Sequence, residues 1–326
     1  MGNEAPAVDP VVESTAADIA AMRIRGAAAI ADAAAAALAI QAERSDAVTP
    51  GAFRTQLRVA ARTLYETRPT AVSLPNALRY VLRGTDGDSV DELRSSTIDR
   101  AETFREDLED AQTTLGKIGS NRLRDGDVVM THCHSTDALA CIEAALDDGK
   151  RIEAIVTETR PRKQGHITAR ELREWGVPVT LIVDNAARRY LDDADHVLVG
   201  ADSIAADGGV INKIGTSGLA VNARERGVPV MVAAQTIKLH PGTMTGHTVA
   251  IEMRDETEVL TSSERSEITD LEDGDDGFTV ENPAFDVTPP RHVDAIVTEH
   301  GQFPPESVVT LMRELFGETT TEPWET

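Results

Sequence analysis

Two patterns of apolar and polar positions divide the chain. From residue 9 to about 118, apolar residues recur every three or four positions, the spacing of one helix face, with almost no strand-like alternation. This periodicity predicts helices at Ser14–Arg23, Ala27–Glu43, Pro50–Thr67, Pro75–Leu82 and Val90–Ile118. The breaks fall at Gly26, the Ser45–Pro50 stretch, Pro69 and the Gly84–Asp88 turn, where Gly, Pro and Asp interrupt regular structure. From about Asp125, short apolar runs alternate with helical stretches. Strands are predicted at Val128–Met130, Ala154–Glu158, Val179–Val183, Val197–Val199, Val230–Ala233 and Ala295–Val297. Helices between them are predicted at Thr136–Asp147, Thr168–Trp175, Ala186–Tyr190 and Gly218–Arg226. Such alternation builds a parallel sheet covered on both faces. The expected fold is α/β: a helical N-terminal domain, residues 1–118, followed by a Rossmann-like doubly wound parallel sheet, residues 119–326.

Composition narrows what such a fold can do. Asp and Glu number 55 against 32 Lys and Arg, a net charge of −23 that repels nucleic acid and anionic membrane surfaces. Apolar residues make up 41%, enough for a packed core built mainly from Ala, Val, Ile and Leu. Only five of the 32 basic residues are Lys: Lys117, Lys150, Lys163, Lys213 and Lys238. A carboxylate-rich, Lys-poor surface suits a salt-filled cytoplasm, where screening at molar ionic strength shortens repulsion to about 3 Å. An acidic protein from a high-GC genome is the alternative source. Met1–Val12 lacks the basic and apolar regions of a secretory signal, and the Ala-rich Ala27–Ile40 is interrupted by Asp32, so no membrane span is expected. Two cysteines without a pairing pattern fit a reducing compartment, and the expected location is cytoplasmic. The acidic run within Glu256–Asp276 reads as a solvated surface insertion.

The candidate chemistry lies at strand ends. Met130-Thr131-His132-Cys133-His134-Ser135 ends an apolar strand and opens a helix, with Ser135 at the N-cap. Open α/β sheets bind ligands at such turns, and a helix start attracts anions and lowers a thiol's pKa. A second turn, Val199-Gly200-Ala201-Asp202, places a carboxylate at another strand end. A lone Cys is usually a small buried hydrophobe, and Cys141 is assigned that role. The His-Cys-His run could ligate zinc, but adjacent strand residues point to opposite faces and no second Cys/His pair has ligand spacing, so no metal is expected. Asp202 could also be only a turn residue. Asn212, Lys213 and Gly215 precede a helix, an arrangement suited to an anion. Basic turns at Arg23–Ala28, Arg68-Pro69-Thr70 and Glu158–Gln164 together imply a small phosphorylated polyanion.

These residues resemble a known family. Arg25-Gly26-Ala27, Arg68–Val72, His132–Ser135, Glu158–Pro161, Gly200–Ile204, Ile211–Thr216 and Asn282–Pro290 are similar, in order, to motifs of the archaeal ribose 1,5-bisphosphate isomerases. Their superfamily includes methylthioribose 1-phosphate isomerases and regulatory subunits of the translation-initiation exchange factor. His132–Ser135 and Asp202-Ser203-Ile204 favour the first group, because methylthioribose enzymes resemble Cys-Asn and Asp-Arg-Ile there. Relatives commonly carry Gly or Pro where this chain has Ala28. The resemblance implies a catalytic pair, Cys133 and Asp202. It implies substrate binding by Arg25, Gly26, Ala27, Ala28, Arg68, Ser135, Thr136, Asp137, Asn212, Lys213 and Lys238. It further implies an aldose–ketose isomerase without cofactor, acting on a phosphorylated sugar in nucleoside salvage. The expected assembly is a homo-oligomer based on dimers, with a hexamer as the larger form. Asp202, protonated in apolar surroundings, would be the acid and Cys133, as a thiolate, the base; a hydride route between carbons is the other possibility. The alternatives are a methylthioribose 1-phosphate isomerase and a non-catalytic regulatory subunit.

Overall fold

The computed structural model describes residues 8–24, 26–68, 71–269, 277–316 and 322–325. Arg25, Pro69, Thr70 and the acidic Asp270–Asp276 therefore lie outside the described residues. The chain forms two compact units: one of residues 1–114, 235–242 and 312–326, the other of residues 115–234 and 243–311.

The first unit is helical. It holds α1 (Pro10–Ala20), α2 (Ala27–Glu43), α3 (Pro50–Tyr65) and α4 (Ser73–Arg83), and α5 (Val90–Ser120) leads the chain into the second unit. α1 starts four residues before the expected Ser14. The Asp9 carboxylate accepts the Val11 N–H at 2.8 Å and Pro10 occupies the first turn, a cap-and-proline start that hydrophobic spacing alone overlooks. Thr49 and Pro50 start α3 in the same way. α2 coincides with its prediction. Ala31, Ala34, Ala35, Ala37 and Leu38 are buried, and they share a core with Leu74, Ala77 and Leu78 of α4. Small side chains on α2 suit close helix packing. The returning segments complete this core through Ile237 and Trp324, whose indole lies 5.0 Å from the Tyr65 ring.

The second unit is the α/β body. Its main strands are β1 (Val128–Thr131), β2 (Glu153–Thr157), β3 (Val179–Ile182) and β4 (His196–Val199). The short β5 (Ser203–Ala205) and β6 (Val210–Lys213) come next, and β7 (Val230–Ala233) returns to the main sheet. The helices are α6 (Thr136–Asp147), α7 (Gly165–Glu174), α8 (Ala187–Tyr190) and α9 (Thr216–Arg226). The seven-stranded sheet runs Gly301–Phe303, Ala295–Thr298, β7, β4, β1, β2, β3. All neighbours are parallel except the outer strand Gly301–Phe303, which pairs antiparallel with Ala295–Thr298. The chain winds from β1 to β2 and β3 on one side and to β4 and β7 on the other. The order therefore reverses between β1 and β4. This is the expected doubly wound fold, and β1 and β4 are the two strands whose ends carry Cys133 and Asp202.

A smaller antiparallel sheet, which hydrophobic patterning does not predict, joins β5, β6 and the strand Phe285–Thr288. In it Ile211 stands opposite Val287 and Lys213 opposite Phe285.

Candidate active site

Cys133 stands two residues past β1 and Asp202 three past β4, at the point where strand order reverses. Ligands of open α/β sheets bind there because diverging connections leave a crevice at the carboxyl ends of the strands. The two ends approach closely. A side chain on Gly200 would come within 2.2 Å of the Ser135 hydroxyl oxygen, so only glycine fits.

Backbone and neighbours hold Cys133 in an unusual conformation. Its φ is +70°, in the left-handed region, and the β-branched Thr159 has φ +63°. Each such residue costs about 1–3 kcal/mol and persists only where surroundings over-determine it. They do so here. The Cys133 N–H donates to the Thr159 hydroxyl at 2.8 Å, and the Thr168 hydroxyl donates to the Cys133 carbonyl at 2.8 Å. Thr159 is fixed in turn: its N–H and that of Arg160 donate to the two Asp184 oxygens at 2.7 and 2.8 Å. His132, buried beside it, donates from Nε2 to the Ile214 carbonyl at 2.8 Å, and its Nδ1 lies in hydrogen-bond contact with the Thr157 hydroxyl at 2.6 Å. Burial depresses the imidazole pKa, against the Ile214 bond and Asp184, which raise it. Gly215 (φ +102°) permits this contact, since a Cβ there would lie 3.0 Å from the ring. His134 donates from Nδ1 to Thr168 at 3.1 Å.

Electrostatics reverse the protonation state expected of Cys133. Cys133 is 7% exposed, and burial pushes its thiol up to about 11 despite the N–H of His134 and the nearby Lys213 and Arg254, which pull it down. Desolvation outweighs the helix start, so the cysteine rests as a neutral thiol. Asp202 is exposed, so the apolar surroundings expected for a protonated carboxyl are not what it meets. Lys213 is buried, donates to the Ala284 carbonyl at 3.1 Å and lies 4.6 Å from the Phe285 ring centroid. Burial, then Arg254, lowers its pKa, while Cys133, Asp202 and Glu252 oppose that shift. One electrostatic neighbourhood thus includes Cys133, Asp202, Lys213 and Arg254.

The remaining predicted residues divide between the units. In the α/β unit, Ser135 caps α6 by accepting the Ala138 N–H at 3.2 Å, Thr136 opens that helix with its side chain exposed, and Asp137 is buried. Asn212 is buried and donates to the Thr216 hydroxyl at 3.0 Å. In the helical unit, Gly26 precedes α2 with φ +90°, Ala27 and Ala28 open that helix, Arg68 follows α3 and Lys238 closes a short turn, half-buried. Arg25 is outside the described residues.

Two expectations are corrected. The N–H groups expected to hold an anion at the start of α9 already have one: Asp286 accepts from Gly215 at 2.8 Å and Ser217 at 3.1 Å. Burial raises its carboxyl to about 6, against those two bonds. In the Glu158–Gln164 turn, Arg160, Arg162 and Lys163 are exposed and Arg162 pairs with Glu258, whereas the residue of that turn bonded to Cys133 is Thr159. Sequence patterning also misses Thr157, Thr168, Asp184 and Arg254. The Asn282–Pro290 motif is the available signal for Asp286, while nothing local marks Arg254.

The chain is similar over most of its length to known proteins. A ribose 1,5-bisphosphate isomerase of Haloterrigena turkmenica is 78% identical over 326 residues, covering 100% of both chains. The crystal structure of the Pyrococcus horikoshii translation initiation factor eIF-2B superposes with TM-score 0.75 at 30% identity, covering 92% of this chain and 99% of that one. That of 5-methylthioribose 1-phosphate isomerase from the same organism gives 0.73 at 33%, covering 94% and 87%. With a family match across residues 23–305, the chain belongs to the initiation factor 2 subunit family (IF-2B).

Proposed function

We propose that the chain isomerises α-D-ribose 1,5-bisphosphate to D-ribulose 1,5-bisphosphate, with Cys133 and Asp202 moving the protons. The observation that carries this reading is the pair itself: a buried thiol and an exposed carboxylate at adjacent strand ends, with a buried ammonium beside them. The high-identity relative bearing the isomerase name supports the choice of substrate.

The anomeric carbon carries a phosphate ester, so the ring must open with that ester in place. Asp202 takes the proton from C2, and the C2–H electron pair becomes the C1–C2 double bond. The bond from C1 to the ring oxygen breaks, and the ring oxygen receives the Cys133 proton. The resulting enol loses its C2 hydroxyl proton and gains one at C1, giving the ketone with both phosphates retained. Atoms and electrons balance without an oxidant. The acid and base are the reverse of the sequence expectation, because the thiol rests protonated. On this reading the α/β unit, residues 115–234 and 243–311, is the catalytic one. The phosphate ligands proposed are Arg25, Gly26–Ala28, Arg68, Ser135–Asp137, Asn212, Lys213 and Lys238.

We also infer a cytoplasmic, salt-adapted homo-oligomer serving nucleoside salvage. Among the described residues no helix is long and apolar enough to cross a membrane, and the edge strand region exposes Leu181 and Val183 at 47% and 58%. Incubating purified protein with ribose 1,5-bisphosphate in molar KCl tests the reading. Ketose should form, and Cys133→Ser and Asp202→Asn should each slow turnover by about 10²–10⁴ while leaving the fold intact. Near-normal rates in either variant, or a preference for methylthioribose 1-phosphate, would overturn it.

A further inference from the structure

The helical unit contains a hydrogen-bonded chain that ends on both sides of Lys238. Asn76, on α4, is 1% exposed and lies far from that lysine in sequence. Its side-chain amide donates one hydrogen to the Ile237 carbonyl and the other to the Leu239 carbonyl, each at 2.8 Å. Its own oxygen accepts from Arg79 Nη1 at 2.6 Å. Arg79 forks onto Glu322 near the C-terminus, with Nε to Oε2 at 2.7 Å and a second, shorter contact beside it. Both amide hydrogens and the amide oxygen of Asn76 are thereby directed. A core asparagine held this way restrains the two peptide carbonyls that flank one residue. Ile237 and Leu239 are buried, and Lys238 between them is half-buried at the end of its turn. The Arg79–Glu322 pair is itself sheltered, with side-chain exposures of 11% and 19%. Trp324, two residues on, is packed in the same core as Ile237.

We infer that Asn76, Arg79 and Glu322 are positioning residues that fix the Lys238 backbone so that its ammonium meets a substrate phosphate without first being ordered. The inference rests on the reading of Lys238 as a phosphate ligand. A flexible lysine must surrender conformational freedom on binding, and an anchored backbone reduces that cost. The near-C-terminal segment thus acts on substrate affinity, through Arg79 and Asn76, without touching substrate.

A double-mutant cycle on the full-length protein in molar KCl, with ribose 1,5-bisphosphate as substrate, tests this. Lys238→Ala should raise KM roughly 10- to 100-fold, the effect of losing a charge-assisted hydrogen bond. Asn76→Ala should raise KM about tenfold and Glu322→Ala about threefold, with kcat held within about threefold. Each should add less than about twofold on the Lys238→Ala background, because their effect passes through that lysine. A purely structural role would lower thermal stability but leave KM unchanged, or multiply in full with Lys238→Ala, and either result overturns the inference. If Asn76→Ala does not fold, Glu322→Ala and its pairing with Lys238→Ala decide the matter. If Lys238→Ala alone leaves KM unchanged, the phosphate-ligand reading of Lys238 fails and the inference with it. A raised KM in Lys238→Ala beside an unchanged one in Asn76→Ala and Glu322→Ala sinks only the inference.

Discussion

A thiol buried at a strand end and a carboxylate facing water respond differently to pH. With its pKa raised to about 11, Cys133 is almost wholly protonated at neutrality, and its thiolate fraction grows about tenfold per pH unit up to that value. Alkylation of Cys133 by iodoacetamide should therefore accelerate steadily from pH 7 to 10, whereas a depressed thiol would already have levelled off. If the protonated thiol is the working form, kcat/KM stays flat over that window. A tenfold rise per unit would assign the thiolate as base and reverse the proposed roles. Cys141, fully buried with its thiol at about 12, should stay unlabelled, as peptide mass analysis would show. Cys133 is legible in sequence because a strand end, a flanking histidine pair and an N-cap serine coincide there. Its protonation state is not, because it depends on burial, and burial on Thr159 and Thr168, which follow 26 and 35 residues later.

Elements are readable where a local signal sets their ends. Ala27–Glu43 and Thr136–Asp147 match their predictions because Gly26 with positive φ and the Ser135 cap define their starts. The small sheet escapes because its pairing is remote: Val210 faces Thr288, and the run between β5 and β6 reads as a glycine turn. The junction of β4 and α6 is a demanding contact between elements at the site. Gly200→Ala would press a methyl group against the Ser135 hydroxyl, an overpacking that costs about 1–3 kcal/mol and shifts the cap of α6. We expect a lower denaturant midpoint together with a raised KM for ribose 1,5-bisphosphate. Wild-type values for both would mean that the strand end and the helix cap can yield independently.

For the molecule as a whole, charge sets the conditions of stability. With 55 acidic against 32 basic residues, repulsion is confined to about 3 Å at molar salt and extends to about 30 Å at 0.01 M. Dialysis into dilute buffer should therefore reduce activity and helical circular dichroism, and light scattering would show whether subunits separate first. Constant mass, fold and activity from dilute buffer to several molar KCl would show that the acidic surface is not a salt adaptation. The distribution of aromatic residues makes the order of events observable. The chain has only two tryptophans, Trp175 packed against the core of the α/β unit and Trp324 in the core of the helical unit. Each indole is a private fluorophore for its own unit. Emission from a Trp175→Phe protein follows the helical unit alone, so a salt titration of that variant beside Trp324→Phe would resolve the loosening of each unit as a separate spectroscopic curve.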